Sequence, residues 1–330
     1  MRYAAFFLLM TAACSTAPKE PAVDATAFNG RWNLTVPGEQ SQRAWWLEVN
    51  GAETPNPAGL MVGPPGGGMY APDAMRIENG ELVYTFKQRK YSLPGEDVPW
   101  EQRPLRDATY HVRREGDRLT GWMEVDGHPE TRTVFSGVRA PVISDKDDGS
   151  WAPGDPVELF NGKDLAGWEP MIPGRELGWE VNDGILTNNP PANNLVSAQK
   201  FWNFRVHMEY RLYEHSNSGL GLRGRYEVQI SEDFGKPPDK QGHGAIYYRI
   251  TPSENPSKQI GEWQTMDVTL IGRDVTVTLN GKTIIDKAVI DGLTAMGHDP
   301  NEAEPGPISI QGDHRKIDIR KLTVTPLRKL

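Results

Sequence analysis

From Arg205 to Leu212 the chain alternates strictly. Val206, Met208, Tyr210 and Leu212 are apolar, and Arg205, His207, Glu209 and Arg211 between them are polar or charged. A period of two puts neighbouring side chains on opposite faces of an extended strand, which no helix can do. The pattern returns in Leu220–Ile230, read as one strand with Leu220, Leu222, Tyr226, Val228 and Ile230 inward, in Ala245–Ile250, read as a strand with Ile246, Tyr248 and Ile250 on one face, at Ile308 and Ile310, and at Ile317 and Ile319. No segment sustains a 3.6-residue period. Short strands need frequent turns, and 34 glycines and 27 prolines in 330 residues supply them. The spacing predicts an all-β protein.

Punctuation divides the chain into four parts. Residues 28–141 hold short strands and the hairpin signals Asn79-Gly80 and Asp126-Gly127. They read as a small all-β domain, a barrel or a meander, whose Trp32, Trp45, Trp46, Trp100 and Trp122 fill its core or form a platform for sugar rings. Residues 142–156, rich in Asp, Gly and Pro, read as a linker. Residues 157–330 form a second strand-dominated domain, with hairpin signals at Asn182-Asp183-Gly184 and Asn280-Gly281. Residues 1–27 carry Arg2, an apolar stretch over 4–10, small residues and then Cys14, the only cysteine. This resembles a bacterial lipoprotein signal followed by a tether. The resemblance implies export, lipidation of Cys14 and a membrane anchor at the cell envelope, facing the periplasm or on the outer membrane.

Several classes are excluded. A net charge of −8 argues against a nucleic-acid partner. One cysteine leaves no disulfide framework and no cysteine-based zinc site. Gly219-Leu220-Gly221-Leu222-Arg223-Gly224 matches the spacing of a dinucleotide-binding turn, but a strand follows where that turn needs a helix. No zincin spacing and no nucleophile elbow occurs.

The polar parity of the second domain collects Arg205, His207, Glu209, Arg211, Arg223, Arg225, Glu227, Gln229, Tyr247, Gln311 and Asp318. Such directional hydrogen-bonding groups suit a polyhydroxylated ligand in the groove of a curved sandwich. The same residues would also serve as a ladder of cross-strand ion pairs. Gly219 and Gly224 read as turn or bulge positions.

The second domain resembles the 3-keto-disaccharide hydrolase family. The likeness is carried in order by Leu159–Trp168, Trp179–Leu186, Phe204–Leu212, Ser216–Gly224, Tyr226–Ile230, Gly244–Tyr247, Gly261–Gln264, Leu279–Lys282 and Gly306–His314. It implies a concanavalin-like jelly-roll sandwich and cleavage of glycosides whose sugar carries a ketone at C3. A C3 ketone acidifies the C2 proton, so a base, a clamp for the enediolate oxygen and an acid for the leaving oxygen are needed. Glu227 is the expected base, Arg223 the clamp and His314 the acid, or the base if Glu227 only binds. Glu209, Asn217, Gln229, Tyr247 and Gln311 are expected to bind substrate. No ligand cluster demands a metal, although a divalent ion would also hold an enediolate. No nicotinamide or flavin motif is present, so a separate sugar 3-oxidoreductase has to supply the keto sugar. Two alternatives stay open: a non-catalytic carbohydrate-binding envelope lipoprotein, and a conventional hydrolase using Glu209 and Glu227 as its carboxylate pair.

Overall fold

The computed structural model describes residues 24–37, 43–64 and 67–330. The export signal and Cys14 lie outside the described residues. Two short 3-10 helices occur among the described residues, and everything else of regular structure is strand.

The N-terminal domain contains β1 (Gly30–Thr35), β2 (Ala44–Asn50), β3 (Ala58–Val62), β4 (Met69–Tyr70), β5 (Ala74–Glu78), β6 (Glu81–Gln88), β7 (Arg106–Glu115), β8 (Arg118–Val125) and β9 (His128–Arg139). They form one antiparallel sheet in the order β4-β3-β2-β1-β9-β8-β7-β6-β5, a meander curled into a half-barrel. Alternate residues line its inside: Trp32 and Leu34 on β1, Leu82 and Tyr84 on β6, Tyr110 and Val112 on β7. Tyr84 and Tyr110 are direct cross-strand partners and stack with ring centroids 4.7 Å apart. On β2 the period of two separates two neighbouring tryptophans. Trp45 joins this core, while Trp46 points the other way and is buried against Leu293 of the second domain. Trp122 does not offer a free ring: His111 stacks on it at 4.1 Å and the Arg132 guanidinium lies 4.1 Å from its centroid.

The second domain contains β10 (Trp151–Pro153), β11 (Val157–Glu158), β12 (Trp168–Pro170), β13 (Trp179–Asn182), β14 (Ile185–Asn188), β15 (Leu195–Phe201), β16 (Phe204–Leu212), β17 (Asn217–Leu222), β18 (Tyr226–Ser231), β19 (Trp263–Ile271), β20 (Asp274–Leu279), β21 (Lys282–Val289), β22 (Gly306–Ile310) and β23 (Ile317–Lys329). They form two sheets. The larger runs β13-β14-β23-β16-β19-β20-β21, with β11 and also β10, which lies inside the stretch read as a linker, added to β23; the smaller runs β12-β15-β22-β17-β18. The apolar faces meet in one core, where Val206, Met208 and Tyr210 of β16 pack with Val228 and Ile230 of β18 and Ile308 and Ile310 of β22. Burying each such side chain contributes about 1.5–3 kcal/mol. This is the jelly-roll sandwich expected from the sequence.

Two local readings need correction. Leu220–Ile230 is not one strand: Arg223 and Gly224 take φ of 53° and 66° and turn β17 back onto β18. A positive φ at both positions gives the twist that a tight hairpin needs. Ala245–Ile250 is a tight turn closed by Ile246 and Ile250, each donating its amide to the other's carbonyl, with Tyr248 at φ 60°.

The larger correction concerns the polar face. β16 and β23 belong to one sheet, and β17, β18 and β22 to the other. Residues of one parity therefore occupy two outer faces on opposite sides of the sandwich, not one groove.

Candidate active site

The site lies on the outer face of the smaller sheet. In β18, Tyr226, Val228 and Ile230 point into the core, so Glu227 and Gln229 point out. The neighbouring strand has glycine at the facing positions: Gly221 is the direct partner of Glu227 and Gly219 of Gln229. A Cβ on Gly219 would stand 2.5 Å from Glu227 Oε1 and 3.0 Å from its Cγ, and one on Gly221 would collide with Ser309 Oγ. The bare backbone of β17 is the floor on which the Glu227 carboxyl rests. Gly219 thus acts inside a strand, by leaving room, and not at a turn or bulge.

A cleft of about 280 Å³ opens over this floor. Glu227, Gln229, Asn217, Gln311, Tyr247 and His314 all line it, together with Asp313 and Asn194. Arg43 and Gly67 of the N-terminal half-barrel also line it, as do Met171, Ala295 and Met296.

Glu227 is 3% exposed. Burial pushes its pKa up to about 8; the nearby Asp313 charge adds to this, and His314 and Arg43 oppose it. The Gln229 amide reaches Asn217 Oδ1 at 3.2 Å in one orientation. Turned over, its nitrogen donates to Glu227 Oε1 at 3.2 Å. His314 Nδ1 sits 2.7 Å from Asp313 Oδ1. That hydrogen bond raises the His314 pKa, against the effect of burial, and the Asp313 and Glu227 charges add to the rise. Burial works against the Asp313 carboxylate, but the His314 hydrogen bond and the charges of His314 and Arg43 outweigh it and hold its pKa below the usual range. Tyr247 is pushed up to about 12, by burial first and then by Glu227. The buried Oε1 of Gln311 has no hydrogen-bond partner among the described residues.

Two expected site residues are elsewhere. Arg223 sits in the β17–β18 turn, where strand parity no longer applies. Its guanidinium is fully buried, donates to the Gly272 carbonyl and lies 4.4 Å from the Trp202 ring centroid, so it does not line the cleft. Burial pulls its pKa down to about 10. Glu209 is on β16, on the outer face of the larger sheet, where Arg320 Nη2 approaches it to 2.6 Å and His207 Nε2 to 3.4 Å. The sandwich core separates it from Glu227, and two stacked sheets stand about 10 Å apart. The Glu209–Glu227 pair of the conventional hydrolase reading is therefore not assembled.

Sequence reasoning missed Asp313 and Arg43. Asp313 was visible as the neighbour of His314. Arg43 carries no local signal, because it belongs to the other domain and reaches the cleft only through docking. Among the described residues no cluster of three or more His, Cys, Asp or Glu has metal-site geometry.

Residues 155–325 match the 3-keto-alpha-glucoside-1,2-lyase-like domain, and the chain belongs to that family. Among solved structures, it is similar to a candidate glycosyl hydrolase from Parabacteroides distasonis ATCC 8503, with 28% identity over 58% of this chain and 92% of that one and a TM-score of 0.45. A second candidate glycosyl hydrolase from that organism is 21% identical over 52% of this chain and 93% of its own, with a TM-score of 0.44. A Bacillus licheniformis beta-glucanase is 11% identical over 52% of this chain and 98% of its own, with a TM-score of 0.32. No curated protein matches the chain.

Proposed function

We propose that this protein cleaves glycosides whose sugar carries a ketone at C3, by proton abstraction at C2, elimination of the C1 oxygen and hydration. The observation that carries the reading is the pairing, in one cleft, of a buried carboxyl group of raised pKa with a His–Asp pair. A base is most effective when its pKa is near the working pH, and burial gives Glu227 that property. Its carboxylate takes the C2 proton, and the C–H electron pair delocalises onto the C3 oxygen. The pair then returns to form the C1=C2 bond as the C1–O bond breaks. The leaving oxygen takes a proton from the His314 imidazolium, which Asp313 orients and stabilises. Water adds its oxygen to C1 and its proton to C2, completing net hydrolysis. Asn217, Gln229, Tyr247 and Gln311 bind hydroxyl groups. The cleft, at about 280 Å³, is at the small end of ligand pockets (roughly 300–1,000 Å³), which suits one sugar ring more than a long chain.

The reading places the protein downstream of a separate sugar 3-oxidoreductase and at the cell envelope, anchored through Cys14. It is tested by incubating the protein with a 3-keto-glucoside and its unoxidised parent in parallel and following aglycone release. Release from the keto sugar alone supports it. Release from both points to conventional glycoside hydrolysis. Release from neither, with tryptophan fluorescence still responding to sugar, points to a binding module.

A further inference from the structure

Beside Met171, Ala295 and Met296, the second domain lines the cleft with hydrogen-bonding and carboxyl side chains and, among the described residues, no Lys or Arg. Among the described residues that line it, Arg43 is the one guanidinium or ammonium group, and it comes from the N-terminal domain. Among the described residues no ion pair holds it. Its backbone, by contrast, is firmly placed. The next residue, Ala44, donates its amide to Gly297 O at 2.8 Å, in the loop that brings Ala295 and Met296 to the cleft. Two residues on, Trp46 is fully buried at the domain junction. The Arg249 guanidinium lies 4.0 Å from the centroid of its ring, and a Cβ on Gly292 would collide with its indole. Asn33 of β1 donates to Glu302 Oε2 at 2.8 Å, and Glu302 is also held by Tyr226 and Arg273. Tyr70 meets Tyr248 at 3.3 Å between the hydroxyl oxygens, one residue from the cleft-lining Tyr247. Such a junction fixes a wall; it does not tether an independent module.

We propose that Arg43 is a catalytic residue, the cation that receives the negative charge of the enediolate, and that the N-terminal half-barrel is therefore part of the active site. The proposal rests on the function proposed above. Proton abstraction at C2 leaves a negative charge on the C3 oxygen, and a guanidinium lining the same cleft as Glu227 provides planar donors for it. Arg43 lines the same cleft as Glu227, Asp313 and His314, and its charge acts on all three.

The test uses the full chain, wild type beside Arg43→Gln and Arg43→Lys, with thermal melting as a folding control. Two rates are measured: aglycone release from a 3-keto-glucoside, and deuterium incorporation at C2 of 1,5-anhydro-3-keto-glucitol in D2O, which has no leaving group. Arg43→Gln is expected to lower both kcat and C2 exchange by about 10²–10³-fold at an unchanged melting temperature. Arg43→Lys is expected to recover part of both. The proposal is overturned if Arg43→Gln stays within threefold of wild type in both rates. It is also overturned if the loss is confined to KM and C2 exchange is untouched, since Arg43 would then read the leaving group. If the folded wild-type protein catalyses neither process, the reading of the site itself fails, and this proposal with it.

Discussion

On the outer face of the larger sheet, Glu209 lies between Arg320 and His207, and Arg211 is paired with Asp318. On the outer face of the smaller sheet, Glu227 is buried with no cation in ion-pair contact among the described residues, over a floor of glycines. Both faces arise from the same alternation of apolar and polar residues. On the first the charges are paired across strands and most are partly solvated, so little free energy is spent in holding them. The second is covered by loops and by the N-terminal domain, so its carboxyl group is desolvated and its pKa is displaced. A buried carboxyl group without a cation partner is costly, and such groups concentrate where chemistry is done.

The strongest way to break this comparison is to exchange the two carboxyl groups' fates. Glu227→Gln is expected to lower turnover of a 3-keto-glucoside by about 10²–10⁴-fold while sugar-dependent tryptophan fluorescence persists. A Glu227→Gln protein that keeps a tenth of wild-type turnover would remove the site from this face. Asp313→Asn leaves the His314 imidazole without its anionic partner. A loss of about 10²-fold in kcat is expected, with the His314 pKa lowered in an NMR titration. Gly219→Ala sharpens the comparison at the floor. The added methyl meets the Glu227 side chain as its nearest neighbour, so turnover is expected to fall by about tenfold or more while stability changes by no more than about 1 kcal/mol.

The pH dependence of stability separates the faces in another way. The folded-state pKa of Glu227 is raised to about 8, above the ordinary 4.5. Its contribution is therefore fully present below pH about 4.5 and is lost as pH rises through about 8. Glu227→Gln is thus expected to be more stable than wild type, by an amount that grows between those pH values and then levels off. Parallel urea titrations at pH 5, 7 and 9 would show it. Glu209 has its pKa lowered: burial opposes this, and its hydrogen bonds to Arg320 and His207 prevail. Its contribution has the opposite sign and is lost as pH falls below the ordinary carboxyl range. The smallest effect is expected there: Glu209→Gln should change stability by about 0–1 kcal/mol and turnover by less than threefold, because that pair is partly solvated.

Much of the site was legible. Parity alone put Glu227 and Gln229 on one outward face, and the ordered motifs brought in Asn217, Tyr247, Gln311 and His314, all of which line the cleft. Arg223 was misplaced because parity was carried through a turn, where positive φ at Arg223 and Gly224 resets the direction of the side chains. Glu209 was misplaced because alternation gives the face of a strand but not the sheet that the strand joins.

Strand periodicity, turn chemistry and the inward or outward sense of each side chain are local properties of a few neighbouring residues, and the sequence by itself determined them. Tertiary structure alone decided which strands share a sheet, which outer face is covered and that Arg43 lines one cleft with Glu227. Strand pairing and domain docking join residues far apart in the chain, such as Ala44 with Gly297 and Asn33 with Glu302. The raised pKa of Glu227 follows from that covering, because desolvation depends on everything that surrounds a group and not on its neighbours in sequence.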